Sequence, residues 1–172
     1  MLKNDFEPDY IVGDLDSLSE ETKQKFKDKL HCDTCQNTND LTKAVNFCVE
    51  RHWTEITIVG TTGKREDHTI GNISLIADYV EFANVQLITD YGVFVPLIES
   101  GHFESFAGQQ VSIFSITPET LFTFQGLKYS LTKQKMSQWW MGTLNESLGD
   151  DFYIEMDCGK ALVFRYRFRQ SG

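Results

Sequence analysis

The chain has 172 residues, with 41% hydrophobic and 24% charged side chains and a formal charge of −9. That composition describes a folded globular protein with room for one ordinary domain or two small ones, and not a disordered tail. An acidic balance argues against tracking a nucleic-acid backbone, yet leaves open a nucleotide bound through a cation held by carboxylates. No apolar run approaches the ~20 residues of a membrane helix. MLKNDFEPDY at the start lacks a basic-then-apolar leader, so no membrane association and a cytoplasmic setting are expected.

In chain order, Tyr10-Ile11-Val12 reads as the end of a strand, and Ser19 followed by Glu20 and Glu21 as a helix start running to about Leu30. Leu41, Ala44, Val45 and Cys48 fall on one helical face, capped by Thr38 or Asn39. Glu55–Val59 is a β-branched run ended by Gly60, the pattern of a buried strand. Ile70, Ile73, Ala77 and Val80 mark another helical face, and 85–89 a further strand. Alternating strands and helices predict a parallel-sheet, Rossmann-like α/β subdomain over residues 1–88.

Beyond residue 90 the helical period disappears. Short strand-like segments at 103–106, 111–116, 121–124 and 153–156 precede a clear alternation, with Leu162, Phe164, Tyr166 and Phe168 opposed to Val163, Arg165, Arg167 and Arg169. These predict a C-terminal antiparallel β-sandwich over 89–172, with the arginines on a solvated strand face.

Three polar clusters follow successive strand ends, where open α/β sheets bind ligands. Gly13-Asp14-Leu15-Asp16-Ser17 can bring two carboxylates to one hard cation, or form a polar turn that caps the next helix. Gln36-Asn37-Thr38-Asn39-Asp40-Leu41-Thr42-Lys43 lies at a helix N-terminus, where free N–H groups attract anions; a capping cluster with an exposed ion pair is the plainer alternative. Gly60-Thr61-Thr62-Gly63-Lys64-Arg65-Glu66-Asp67-His68 has the glycines and cations of a phosphate cradle but not P-loop spacing; a basic surface turn would look the same. Asn72 lies one helical turn beyond His68. Cys32 and Cys35 form a lone CxxC with no second Cys/His pair, read as two reduced thiols. Gln138-Trp139-Trp140-Met141 is either an aromatic platform for a cation or a hydrophobic strand or seam, the latter favoured.

These clusters resemble the thiamine pyrophosphokinase family. Pro8-Asp9-Tyr10-Ile11-Val12-Gly13-Asp14-Leu15-Asp16-Ser17 matches its P-D-x-I-x-G-D-x-D-S segment. Gln36 to Asp40 with Lys43-Ala44 matches Q-x-x-T-D-x-x-K-A, with Asn39 where threonine is usual. Gly60, Gly63, Arg65, Asp67, His68 and Asn72 fit G-x-x-G-x-R-x-D-H-x-x-x-N, and Gly126-Leu127-Lys128-Tyr129 resembles the G-L-K-[YW] turn. The family's S-N-E stretch is matched only loosely by Leu144-Asn145-Glu146-Ser147.

The resemblance implies transfer of diphosphate from ATP to thiamine, giving AMP, with Asp14, Asp16 and Asp40 holding Mg²⁺. It implies that Arg65, with Lys43 or Lys64, offsets charge on the leaving AMP. Gln36 and Asn39 would orient phosphates or ribose. Asp67 and His68 would orient the Arg65 loop or contact substrate. Asn72, Asn145 and Ser147 complete the implied binding set, and a homodimer through the β-half would hold thiamine. The family also carries a strand–helix unit with a further aspartate ahead of the P-D segment, which this sequence does not include. A non-catalytic thiamine- or nucleotide-binding protein on the same scaffold is therefore the alternative.

Overall fold

The computed structural model describes residues 7–168, so Arg169 lies outside the described residues. It is a mixed α/β structure whose chain divides between Trp53 and Thr54 into two compact units. No helix among the described residues is long and apolar enough to cross a membrane.

In the first unit, β1 (Ile11–Gly13) pairs in parallel with β2 (Leu30–Cys32), Gly13 standing opposite Cys32. Helix α1 (Glu20–Lys25) connects them. Ser19 caps it by accepting the Thr22 N–H at 3.2 Å, and glutamates in its first turn with lysines in its last suit the helix dipole. The helix ends earlier than its sequence suggests: residues 27–29 tighten into a 3-10 turn and Leu30 already belongs to β2. Helix α2 (Asp40–Glu50) is capped by Asn39, whose Oδ1 accepts from Thr42 N at 2.9 Å.

Val45 and Phe47 are the apolar side chains that α2 fully buries; Leu41, Ala44 and Cys48 are half-buried. Phe47 is the hub of a small aromatic core. Its ring lies 4.9 Å from Tyr10 and 4.7 Å from His31, and the Arg51 guanidinium carbon sits 3.4 Å from its centroid. Such a contact both covers apolar surface and satisfies a cation.

The second unit begins with β3 (Glu55–Val59), α3 (Glu66–Tyr79) and β4 (Asn84–Ile88), with β3 and β4 parallel and in register from Glu55↔Asn84 to Val59↔Ile88. The remaining strands are β5 (Gly92–Leu97), β6 (Gly101–Glu104), β7 (Gln110–Ser115), β8 (Leu121–Gln125), β9 (Gln134–Lys135), β10 (Asn145–Glu146), β11 (Asp151–Met156) and β12 (Ala161–Tyr166). They complete a six-stranded sheet, β10-β7-β12-β5-β4-β3, and form a four-stranded one, β6-β11-β8-β9. The turn near residue 88 lies inside the larger sheet, because β4 and β5 pair across it.

Period-two alternation aims one side of each sheet inward. Val111, Ile113 and Val163 from the larger sheet meet Phe122, Phe152 and Ile154 from the smaller in one apolar cluster. Phe103 and Phe152 stack at 5.1 Å within it.

Several details depart from the sequence reading. Strand β3 is an outer strand, and its Glu55, Thr57 and Val59 are exposed instead of buried. Arg165 is not on a solvated face: it is half-buried, its Nη1 donates to Glu104 O at 2.7 Å, and its guanidinium lies 5.4 Å from the Phe103 ring. Desolvation lowers its pKa. Arg167 is exposed. Residues 139–142 form a 3-10 turn and no strand; an added Cβ on Gly142 would meet Ile113 O at 2.1 Å, so the turn lies flush on β7. Ile70, expected on a core face of α3, is exposed.

Phe152→Ala should lower unfolding free energy by about 3–5 kcal/mol, because the ring is fully enclosed and its removal leaves a cavity. Denaturant titration followed by far-ultraviolet circular dichroism measures the shift in midpoint.

Candidate functional site

In the first unit the chain leaves β1 through Gly13, whose φ of +150° suits glycine. The absence of a side chain there matters more: an added Cβ would meet Asp40 Oδ1 at 3.1 Å. The Asp40 carboxylate, in the first turn of α2, is thus seated against the backbone that presents Asp14 and Asp16. The turn is fixed from within, as Asp14 Oδ1 accepts the Asp16 N–H at 3.1 Å. It is fixed from outside by the Asp33 N–H, which donates to Gly13 O at 2.9 Å, and by the Cys32 thiol, 3.9 Å from Asp14 O.

Lys43 lies one turn beyond Asp40 with its side chain almost wholly buried and Nζ 3.5 Å from Asp40 Oδ1. A buried ammonium needs a partner, and the exposed Asp40 carboxylate provides one. Gln36 is exposed and donates to Thr34 O at 3.4 Å, while Asn39 serves as the α2 cap.

No three His, Cys, Asp or Glu side chains group into a closed metal cage among the described residues. Mg²⁺ does not require one, since it commonly binds through one or two carboxylates and completes its shell with waters and phosphate oxygens. A half-buried Asp14 and an exposed Asp16 on one turn, with an Asp40 oxygen held beside a bare glycine, fit that manner of binding.

In the second unit the chain leaves β3 through Gly60 (φ +73°) and Gly63 (φ +87°) and enters α3 at Glu66. Left-handed conformations at both glycines fold the connection back on the helix N-terminus. A cavity of about 280 Å³ opens there, lined by residues that include Thr61, Lys64, Arg65, His68 and Asn72. Asn72 Nδ2 donates to Thr61 O at 3.1 Å and ties the loop to the helix. Thr61 Oγ1 is buried without a hydrogen-bond partner.

Arg65 grips Asp67 through two nitrogens, Nε donating to Oδ1 at 3.1 Å. The same carboxylate accepts the His68 N–H at 2.8 Å. Asp67 therefore orients the guanidinium beside the cavity. Lys64 and Arg65, with the first N–H groups of a 14-residue helix, give this cavity the character of an anion site.

Further along, Asn145 and Ser147 are buried. Asn145 accepts the Tyr129 and Glu146 N–H groups and donates to Tyr129 O at 2.8 Å, clamping the 126–129 turn. Ser147 Oγ pairs with Ser105 Oγ at 2.6 Å. Their polar atoms are engaged inside the protein, so they shape this turn and do not reach solvent.

A second, wholly apolar cavity of about 90 Å³ lies between α3 and the larger sheet, lined by Ile70, Ile73, Phe94, Phe114, Trp139 and Leu162. Trp139 packs edge-on to Phe114, and Trp140 is 68% exposed. The sequence pointed to the tryptophans and put Ile70 on a helical face, but did not join them to Phe94 and Phe114. Their shared cavity arises from strand order, and no local spacing signals it.

The Arg65 pairing, then the His68 N–H, holds the Asp67 carboxyl below its ordinary value. Stability from a lowered carboxyl pKa is present above the unfolded value and is lost as pH falls through the folded one. Asp67→Asn should therefore narrow its stability deficit against the wild type as pH falls through the acid range. Thermal unfolding across that range, at low and high salt, checks this, and salt should shrink the deficit because the pair is exposed.

Comparison with known proteins places these features in context. The model of the thiamin pyrophosphokinase catalytic domain matches residues 1–89, and that of the thiamin pyrophosphokinase substrate-binding domain matches residues 92–164. Thiamine pyrophosphokinase 1 of Oryza sativa subsp. japonica is 30% identical over 150 residues, covering 77% of this chain and 56% of its own. Thiamine pyrophosphokinase 2 of Arabidopsis thaliana is 28% identical over 158 residues, covering 79% and 57%. The chain thus spans little more than half the length of these plant relatives. Among solved structures, the thiamine pyrophosphokinase of Bacillus subtilis superposes with a TM-score of 0.81 at 21% identity, over 98% of this chain and 83% of its own. At that identity the likeness speaks for the fold. The family model for the catalytic domain alone matches more than half of the sequence, and the chain belongs to the thiamin pyrophosphokinase family.

Proposed function

We propose that this chain transfers a diphosphate group from ATP to the hydroxyl of thiamine, releasing AMP, and that Mg²⁺ serves the reaction. The observation that carries the reading is the Asp40 carboxylate seated against Gly13, the residue that leads into Asp14 and Asp16, and backed by the buried Lys43. Family membership supplies the reaction class.

In this reading the first 88 residues supply a Rossmann-like parallel layer, and the β-rich remainder acts as a sandwich for thiamine binding and homodimer contact. Asp14, Asp16 and Asp40 hold the metal, which when bound neutralises phosphate charge and orients the transferred group. Lys43 fixes the Asp40 carboxylate from behind. Gln36, on the exposed 36–39 loop, offers its amide to phosphate or ribose oxygens, with Asn39 keeping the start of α2 in place.

The thiamine hydroxyl oxygen forms a bond to the β-phosphorus while the bond from that phosphorus to the oxygen bridging to the α-phosphorus breaks. That oxygen leaves with AMP and the hydroxyl proton passes to solvent. Arg65, oriented by Asp67, and Lys64 place positive charge against the phosphates, so that negative charge developing on the leaving group is met by fixed donors. His68 and Asn72 maintain the loop that presents them, with no base role for the imidazole. The exposed faces of Trp139 and Trp140 suit a flat cationic ring system, and their exposure equally suits burial between two copies of the chain.

The test is AMP release from Mg-ATP by the 172-residue chain, with and without thiamine. Thiamine-dependent AMP is expected, and Asp14→Asn should lower turnover by about 100-fold or more while leaving the unfolding midpoint nearly unchanged. Unchanged Mg²⁺-dependent turnover in a folded Asp14→Asn protein would remove the carboxylates from the mechanism. Stabilisation by thiamine without AMP from the wild type would favour a binding protein on this scaffold.

A further inference from the structure

We propose that Cys32 and Cys35 form a reversible thiol–disulfide switch acting on the Gly13–Asp14 turn. The disulfide chemistry stands by itself; its consequence for phosphate binding rests on the function proposed above.

Three features of the first unit lead there. Strand β2 ends at Cys32, directly opposite Gly13 in the parallel register, so the CxxC begins at a strand's carboxyl end beside the candidate metal turn. The sequence reading, which ran a helix to Leu30, gave the motif no such setting. The Cys32 thiol points at the turn, donating to Asp14 O at 3.9 Å, while the Asp33 N–H holds Gly13 O at 2.9 Å. Finally, Asp33 Oδ1 accepts the Cys35 N–H at 2.9 Å, a side-chain contact that fixes the short backbone link between the two cysteines. Both thiols are free and exposed. Among the described residues they join no group of three potential metal ligands.

An exposed CxxC exchanges readily with small disulfides. One thiol attacks a sulfur of a low-molecular-weight disulfide, breaking its S–S bond and releasing one small thiol that carries the proton. The second protein thiol then attacks the mixed disulfide, closing Cys32–Cys35 and releasing a second small thiol. Two protein thiols are oxidised and one small disulfide is reduced. Closure takes the hydrogen from the Cys32 sulfur and turns that sulfur toward Cys35, so Asp14 O loses its donor. The turn that presents Asp14 and Asp16 is then held by fewer contacts.

The experiment equilibrates the chain with stepped ratios of oxidised to reduced glutathione, followed by peptide mapping and amide hydrogen exchange. Cys35→Ser, which keeps the Cys32 contact but cannot close, is run alongside. An intramolecular Cys32–Cys35 bond is expected, with several-fold faster exchange over residues 11–18 in the oxidised protein. Reductant should reverse it, and Cys35→Ser should form no intramolecular bond, only a mixed disulfide with glutathione at Cys32. Failure of the bond to form at glutathione ratios that oxidise the pair in unfolded protein would overturn the proposal, as would a bond that leaves exchange over 11–18 unaltered. Thermal shift with Mg-ATP on the same samples separates the two readings. If the reduced protein shows no shift, the phosphate-site reading fails, while the exchange data still decide the switch.

Discussion

A parallel strand delivers its chain at its carboxyl end, and the chain must then turn into whatever follows. Both turns with chemistry here, Gly13–Ser17 after β1 and Gly60–Arg65 after β3, leave strands that are paired in parallel. Each is opened by glycine, and each leads toward a helix whose first N–H groups have no partner within the helix. Electropositive backbone and carboxylates or cations thus gather at strand ends, and in the first turn Leu15 takes a left-handed φ of +63° between Asp14 and Asp16. The remainder of each unit keeps those ends in place: Phe47 and its aromatic neighbours in the first, the apolar cluster of the two sheets in the second.

Within the first turn the controlling contact is the one that glycine allows. Asp40 reaches the backbone at Gly13 because no Cβ intervenes, and Lys43 remains buried because Asp40 accompanies it. Removing any one of the three alters the other two. In the second turn Arg65, Asp67 and the His68 N–H form a comparable unit, exposed and therefore cheaper to disturb. Burial separates these two clusters: the Lys43 ammonium is enclosed by protein, whereas Arg65 and Asp67 are both open to solvent.

The elements that could be read from sequence were those with a complete period. The α2 and α3 segments, the β-branched run at 55–59 and the alternation of β12 announce themselves. Strand β2 did not, since Leu30-His31-Cys32 is three residues long, follows a lysine-rich turn and offers no alternation to count. Strand β5 was obscured by Pro96. That proline is tolerated because β4 pairs with β5 only near Val93 and Phe94, so the ladder on that side has ended before it. Arg165 looked like its neighbour Arg167, yet it is drawn in by the Glu104 carbonyl and the Phe103 ring, partners 61 and 62 positions away in the chain. The candidate site was legible as residue types, down to Gly13, Asp14, Asp40 and Lys43. Which oxygen meets which backbone atom was not, because that depends on how α2 packs on β1. Asn145 and Ser147 show the reverse, polar residues whose partners lie inside the protein.

The central claim is that Asp40, seated on a bare Gly13, makes this turn a place for a hard cation and its phosphates. The most direct measurement is Mn²⁺ binding in the presence of ATP, followed by the electron paramagnetic resonance of the free ion, for the wild type and Gly13→Ala. The account predicts at least about tenfold weaker binding in a variant that still unfolds cooperatively, because the new methyl group displaces the carboxylate. Equal affinity in the two folded proteins would contradict it and would place the metal elsewhere.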